Sequence, residues 1–248
     1  MKKQLLLLTA AVLIFGLVSA SAQNGGPRLG GATGKLFGEN QSYTATLEIQ
    51  TPDSQGNTVT VPGKIIFDSG KSRFEMNMSD VQGGKMQPGT AAQMKQMGMD
   101  QMVSLTLPDK KTAYFIYPGM KSYVARTMND EAAAAIDDYK VATTELGKET
   151  LDGHDCTKNK VVVTGKDGAA HEFTVWNAGD LKKFPLKIET TEEGQSSTML
   201  FKNVSLAKPD ASAFDLPSGY TKYDNLQTMM QMEMMKKMGG GMRGMPGN

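Results

Sequence analysis

"VSLTLPDKKTAYFIYPGMKSYVAR", residues 103–126, reads as three short strands separated by two turns. Residues 108–111 and 118–121 carry the proline, glycine and lysine that interrupt runs rich in aromatic and β-branched side chains, and the spacing is that of hairpins. The same grammar holds upstream. In "SYTATLEIQT", residues 42–51, Tyr43, Ala45, Leu47 and Ile49 fall on one side and Ser42, Thr44, Thr46 and Glu48 on the other, as a strand with one dry face requires. "PDSQGN" supplies turn chemistry after it. "KIIFDSGKSRFEMNM", residues 64–78, follows as strand, turn at Asp68, Ser69 and Gly70, and strand, with Phe74, Met76 and Met78 inward and Arg73, Glu75 and Asn77 outward.

Downstream, "KNKVVVTGKDGAAHEFTVW" and "PLKIETTEEGQSSTMLFKNVSL" repeat the pattern, with turns near Asp167 and Gly168 and near Glu193 and Gly194. About nine or ten strands joined by short turns imply an antiparallel meander. Three segments read as helices: "TAAQMKQMGMDQ" (90–101), "NDEAAAAIDDYK" (129–140) with Asn129 as its cap and Asp130 and Glu131 in its first turn, and "DNLQTMMQMEMMKKM" (224–238). No internal repeat of propeller or solenoid length is visible. One domain over residues 41–223 is the economical organisation, followed by a methionine-rich helix and tail at 224–248.

The front of the chain points to export. "MKKQLLLLTAAVLIFGLVSASAQ" has two lysines, an uncharged apolar run from Leu5 to Val18, and small residues at Ala20, Ser21 and Ala22, which is the layout of a signal peptide (1–22) cut after Ala22. The run is shorter than the roughly 20 apolar residues of a membrane-spanning helix, so no transmembrane anchor is expected after its removal. The expected location is the periplasm or the exterior of a bacterium. The mature chain would have 248 − 22 = 226 residues, enough to bury a core. Residues 23–40, "QNGGPRLGGATGKLFGEN" from Gln23, are glycine-rich without apolar periodicity and read as a flexible lead-in. A phosphate loop at Gly34 and Lys35 is excluded, because Leu29 stands where its first glycine belongs and Leu36 where Ser or Thr belongs.

A formal net charge of +1 gives no electrostatic case for a nucleic-acid partner. Cys156 is the only cysteine, so no intramolecular disulfide can form. His154 and Cys156 stand two apart, which on a strand puts them on one face as a conceivable thiolate-imidazole pair or half a metal site; the plainer reading is a buried small cysteine beside a turn histidine. The acidic pairs Asp137 with Asp138 and Glu192 with Glu193 read as solvated surface, since neighbouring helical positions do not face one another. No constellation argues for an enzyme, and no cofactor is implied.

At "AFDLPSGYTKY" (213–223), together with "GKSRFEMNM", "YFIYPGMKSYV", "GHDCTKNKVVV" and "FTVWNAGDLKKFPLKI", the sequence resembles a group of secreted bacterial proteins without assigned function that is related to the LolA/LolB-like lipoprotein carriers. The resemblance implies an unclosed antiparallel β half-barrel, mainly β in class, whose concave apolar face is covered by a few helices. Alternation and resemblance together place Phe74, Met76, Met78, Phe115, Tyr117 and Trp176 on that face, with a hydrophobic ligand or a lipidated partner as its occupant. The expectation depends on a hollow that the protein's own side chains leave unfilled.

The methionines lie outside the resemblance. There are 19, and Met229, Met230, Met232, Met234, Met235, Met238, Met242 and Met245 crowd the end of the sequence. Three readings stand open. Unbranched, polarizable side chains suit an adaptable apolar surface, so Met230, Met234, Met235 and Met238 could form a lid over the groove. Thioethers are soft ligands, and Met229, Met232, Met235 and Met238 recur at a spacing that could gather sulfurs for Cu(I), a spacing repeated by Met94 with Met97 and by Met99 with Met102. The third is a low-complexity end with no specific role.

Overall fold

The computed structural model describes residues 29, 31–53, 55–84, 89–128, 139–192 and 194–242, with the side chains of 192, 195 and 237–242 left out. Three helices are described: α1 (Gly31–Lys35), α2 (Thr90–Met97) and α3 (Leu226–Met242). Six strands come first: β1 (Ser42–Pro52), β2 (Thr58–Asp68), β3 (Lys71–Asn77), β4 (Gln101–Leu107), β5 (Thr112–Tyr117) and β6 (Ser122–Thr127). Five more follow, β7 (Lys140–Leu151), β8 (His154–Thr164), β9 (Ala170–Ala178), β10 (Phe184–Glu192) and β11 (Gln195–Ser205), and the short β12 (Thr221–Tyr223) ends the series.

All twelve belong to one sheet in the spatial order β12-β6-β5-β4-β3-β2-β1-β11-β10-β9-β8-β7. The sheet is not closed into a barrel. Two antiparallel meanders, β1 to β6 and β7 to β11, are joined where β1 pairs with β11, for example Leu47 opposite Phe201. Among the described strands, the sole parallel pairing is β12 on β6.

The two turns within residues 103–126 are copies of one device. Pro108–Lys110 and Pro118–Met120 each make a single 3₁₀ turn entered through proline, and Lys111 (φ 45°) and Lys121 (φ 47°) then take left-handed backbone. Each lysine N–H donates back to the proline carbonyl, at 2.8 and 3.1 Å. Proline presets φ for the turn, and the left-handed residue reverses the chain into the next strand.

Three clusters hold the fold. The first, centred on β1, β2 and β8 to β11, contains Phe37, Tyr43, Phe67, Phe184 and Phe201. The second gathers Met94, Met99, Met102, Phe115, Tyr117, Met120, Val124 and Met229. The third lies on the opposite face of β4 and β5, where Phe214, Leu216 and Tyr220 from the "AFDLPSGY" segment cover Ile66, Val103, Leu105 and Ile116. Strand β4 is therefore dry on both sides between Met102 and Leu105.

Several elements differ from the sequence expectation. Residues 31–40 are not a flexible lead-in: α1 forms there, and Phe37, 1 % exposed, is buried with Leu29 and Leu36 in the first cluster. Glycines mask this segment in sequence because its three apolar residues have no periodicity; the gain comes from tertiary burial alone. Strands β7 and β12 are additional. β7 is a mostly exposed edge, bulged between Glu145 and Gly147, and has little of the alternation that marks a half-buried strand. The helix expected at 129–140 falls on residues outside those described, apart from Tyr139 and Lys140, the latter opening β7. The signal peptide also lies outside them. Helix α2 stops at Met97, earlier than expected, because Gly98 takes left-handed backbone and Met99 N–H donates to Met94 O at 2.8 Å. No helix among the described residues is long and apolar enough to cross a membrane.

Candidate functional site

Five thioethers and a carboxylate meet under α3. Met97 comes from the last turn of α2, Met99 from the link into β4, Met120 from the 3₁₀ turn between β5 and β6, and Met230, Glu233 and Met234 from α3. They line a half-open cavity of about 20 Å³. Gly98 and Gly119 let these pieces come together. A Cβ on Gly98 would stand 2.6 Å from the Gly119 carbonyl oxygen, and one on Gly119 would stand 2.6 Å from that of Gly98. Only bare backbone permits that crossing.

Helix α3 starts at an Asn225 cap, whose Oδ1 accepts from Thr228 N–H at 2.8 Å. It is fastened by two residues one turn apart. Met229 is 0 % exposed among the second cluster, and Glu233, its side chain 12 % exposed, accepts from Tyr223 Oη (2.7 Å), Ser122 Oγ (3.1 Å) and Lys236 Nζ (2.7 Å). All three donors sit on Oε1; Oε2 takes none among the described residues. Burial by itself pushes the Glu233 carboxyl up, but the hydrogen bonds from Lys236, Tyr223 and Ser122 together outweigh it and hold it below its ordinary value.

The expected site residues divide between the two clusters. Phe115 and Tyr117 are buried in the methionine cluster, Met78 packs against it, and Met76 touches both clusters. Burial pushes the Tyr117 hydroxyl up to about 12, with Arg126 pulling the other way. Phe74 belongs to the aromatic cluster, and its ring lies directly over Gly63, where a Cβ would have no room. Trp176 is also there, away from the methionines. Lys187 and Lys158 stand over its ring at 4.2 and 4.7 Å, and its indole N–H donates to Glu149 at 2.7 Å. Its ring is engaged by cations of the protein itself, which leaves no platform for a ligand.

Of the lid residues, Met230 packs against the second cluster and Met234 lines the cavity while 42 % exposed; Met235 is 67 % exposed, and the Met238 side chain lies outside those described. The spacing proposed for Cu(I) does not gather one face, since Met229 is buried whereas Met232 and Met235 are exposed. Three residues apart is 300° around a helix, so each step drifts away from the last. Residues that the sequence did not single out are Met120, Glu233 and the Gly98–Gly119 crossing. Met120 stands in a turn motif, and no local pattern marks it.

The His154 and Cys156 pair is not assembled. His154 Nδ1 sits 2.7 Å from Asp180 Oδ2, and the Cys156 thiol lies 3.6 Å from the His154 carbonyl oxygen. Burial pushes that thiol up, away from thiolate character. Among the described residues, no three His, Cys, Asp or Glu side chains gather as a metal-holding group. On the face of the third cluster, an open groove of about 550 Å³ is lined largely by polar side chains, including Lys64, Arg73, Glu75 and Gln101. Arg73 is committed to Glu75 at 2.6 Å.

No protein-family profile and no curated protein matches the sequence. Among solved structures, the chain is similar to a LolA superfamily protein from Nitrosomonas europaea, at 12 % identity and a TM-score of 0.36, over 75 % of this chain and 98 % of that one. It is similar to LprF from Mycobacterium bovis at 12 % identity and a TM-score of 0.38, over 74 % and 94 %. A third is the lipoprotein LppX from Mycobacterium tuberculosis, at 11 % identity and a TM-score of 0.37, over 65 % and 85 %. The open sheet itself is read from the strand pairings, which stand without these alignments.

Proposed function

We propose that the protein is an exported, non-enzymatic binding protein that takes an apolar group, such as an acyl chain, into its methionine-lined half when α3 moves aside. Export rests on the layout of residues 1–22. The observation that carries the binding reading is the way α3 is attached: among its described methionines one, Met229, is fully buried, and Met232, Met234 and Met235 remain exposed. Burying a methionine yields about 1.5–3 kcal/mol, and immobilising it costs up to about 2 kcal/mol. The helix is thus held by a small margin plus the Glu233 hydrogen bonds. An apolar ligand that replaces Met229 and Met230 against Phe115 and Tyr117 recovers the burial the helix gives up.

The sequence expectation of an unfilled hollow changes accordingly. The space under α3 is about 20 Å³, far below the several hundred Å³ of a small-molecule site, so the site must open to be filled. The test is titration of the full chain, and of Glu233→Ala, with fatty acids and mild detergents, alongside native mass spectrometry of protein purified from its own envelope. The expected result is saturable binding, tighter in Glu233→Ala. A protein that ignores every such ligand in both forms overturns the reading.

A further inference from the structure

We infer that the cavity between α2, the turn at Pro118–Met120 and α3 is a site for one Cu(I) ion, with its ligands drawn from the thioethers of Met97, Met99, Met120, Met230 and Met234. Of these residues, spacing pointed to Met97 and Met99, whereas Met120, Met230 and Met234 lie outside the sets it suggested. Two separate parts of the chain meet at the Gly98–Gly119 crossing, and α3 packs over them as a third.

Two features fit a soft monovalent ion. The first is donor chemistry. Apart from Glu233, every described side chain lining the cavity is a thioether, and thioethers favour Cu(I) over the harder divalent ions that want imidazole or oxygen. The second is size: about 20 Å³ holds one small occupant. It is too small for an acyl chain with α3 in place. Because Met230 and Met234 ride on α3 while Met97, Met99 and Met120 belong to the body, the ion would clasp the lid shut.

This inference stands apart from the acyl-binding reading, since metal is titrated into ligand-free protein. The full chain is titrated anaerobically with Cu(I) against a competing Cu(I) chelator, with X-ray absorption at the copper edge reporting the donor atoms. The result expected is one ion per chain with sulfur neighbours. Replacing Met97, Met120 and Met230 together by leucine, which conserves volume, should weaken binding by about 100-fold or more, beyond the loss typical of removing a ligand's neighbour. The exposed pair Met232→Leu and Met235→Leu should leave it unchanged. Should the triple variant fail to fold, Met234→Leu on the partly exposed edge of the site is expected to weaken binding alone. Absence of Cu(I) binding in the full chain overturns the inference. So does binding lost in the exposed-pair variant, or kept intact in both cavity variants.

Discussion

On the side of the sheet formed by β1, β2 and β8 to β11, the apolar face is closed by Phe37, whose ring stacks on Tyr43 at 5.1 Å and meets Phe184 and Phe201 edge-on at 5.5 Å each. On the side formed by β3 to β6, the corresponding face is closed by methionines from α2 and α3. Flat rings with two torsions lock into a few geometries and add about 0.5–1.5 kcal/mol per pair beyond their burial. Methionines have three torsions and no preferred partner, so they fill whatever shape is present and release it at little cost. One half is closed by stacked rings and the other by unbranched, flexible side chains. Both are plugged by segments outside the sheet, so the softness of the plug, rather than the presence of a hollow, separates structural core from candidate site.

The largest effect that would sharpen this contrast is at Phe37. Phe37→Ala should destabilise the whole domain by about 3–5 kcal/mol, read as a lower urea midpoint with all probes moving together. Met229→Ala comes next, at about 2 kcal/mol or slightly more. It should act locally, speeding hydrogen exchange in α3 while the global midpoint stays in place. If Met229→Ala lowers the global midpoint as much as Phe37→Ala does, the two halves are equally rigid and the contrast fails.

A smaller effect is expected at Tyr43. Its hydroxyl is buried without a hydrogen-bond partner among the described residues, and burial holds its pKa well above the ordinary value. Tyr43→Phe should therefore stabilise by about 1 kcal/mol in equilibrium unfolding, because an unsatisfied buried hydroxyl carries a desolvation penalty. A loss instead would show that the aromatic half depends on that oxygen. Smallest is the pH response of the lid. The Glu233 carboxyl in the docked state lies below its ordinary value. Its contribution to docking is present above the ordinary glutamate pKa of about 4.3, and disappears as pH falls through the depressed docked value. Hydrogen exchange in α3, corrected for its intrinsic pH dependence, should rise on acidification, and Glu233→Gln should flatten that response.

Legibility followed periodicity. Tyr43, Ala45 and Leu47 are buried as the alternation in β1 requires, and the two proline turns of residues 103–126 fall where their residues place them. Phe74, Phe115 and Tyr117 are inward and buried. The split that puts Phe74 and Trp176 with the aromatics and Phe115 and Tyr117 with the methionines was not readable, because it depends on which strands lie side by side across the β1–β11 seam. Nor was Met120, a turn residue until α2 crosses it.

Two-residue alternation, turn chemistry and composition are local quantities, and they sufficed for a mainly antiparallel β protein with few helices and no disulfide. Where the apolar face is closed, and by what, is a non-local quantity. Phe37 seals one half, and Met97, Met99, Met120, Met230 and Met234 meet Glu233 over the other, because folding brings together segments whose neighbours in sequence carry no trace of the encounter. Burial rewards proximity in space, and proximity in space is what the open sheet and the Gly98–Gly119 crossing decide.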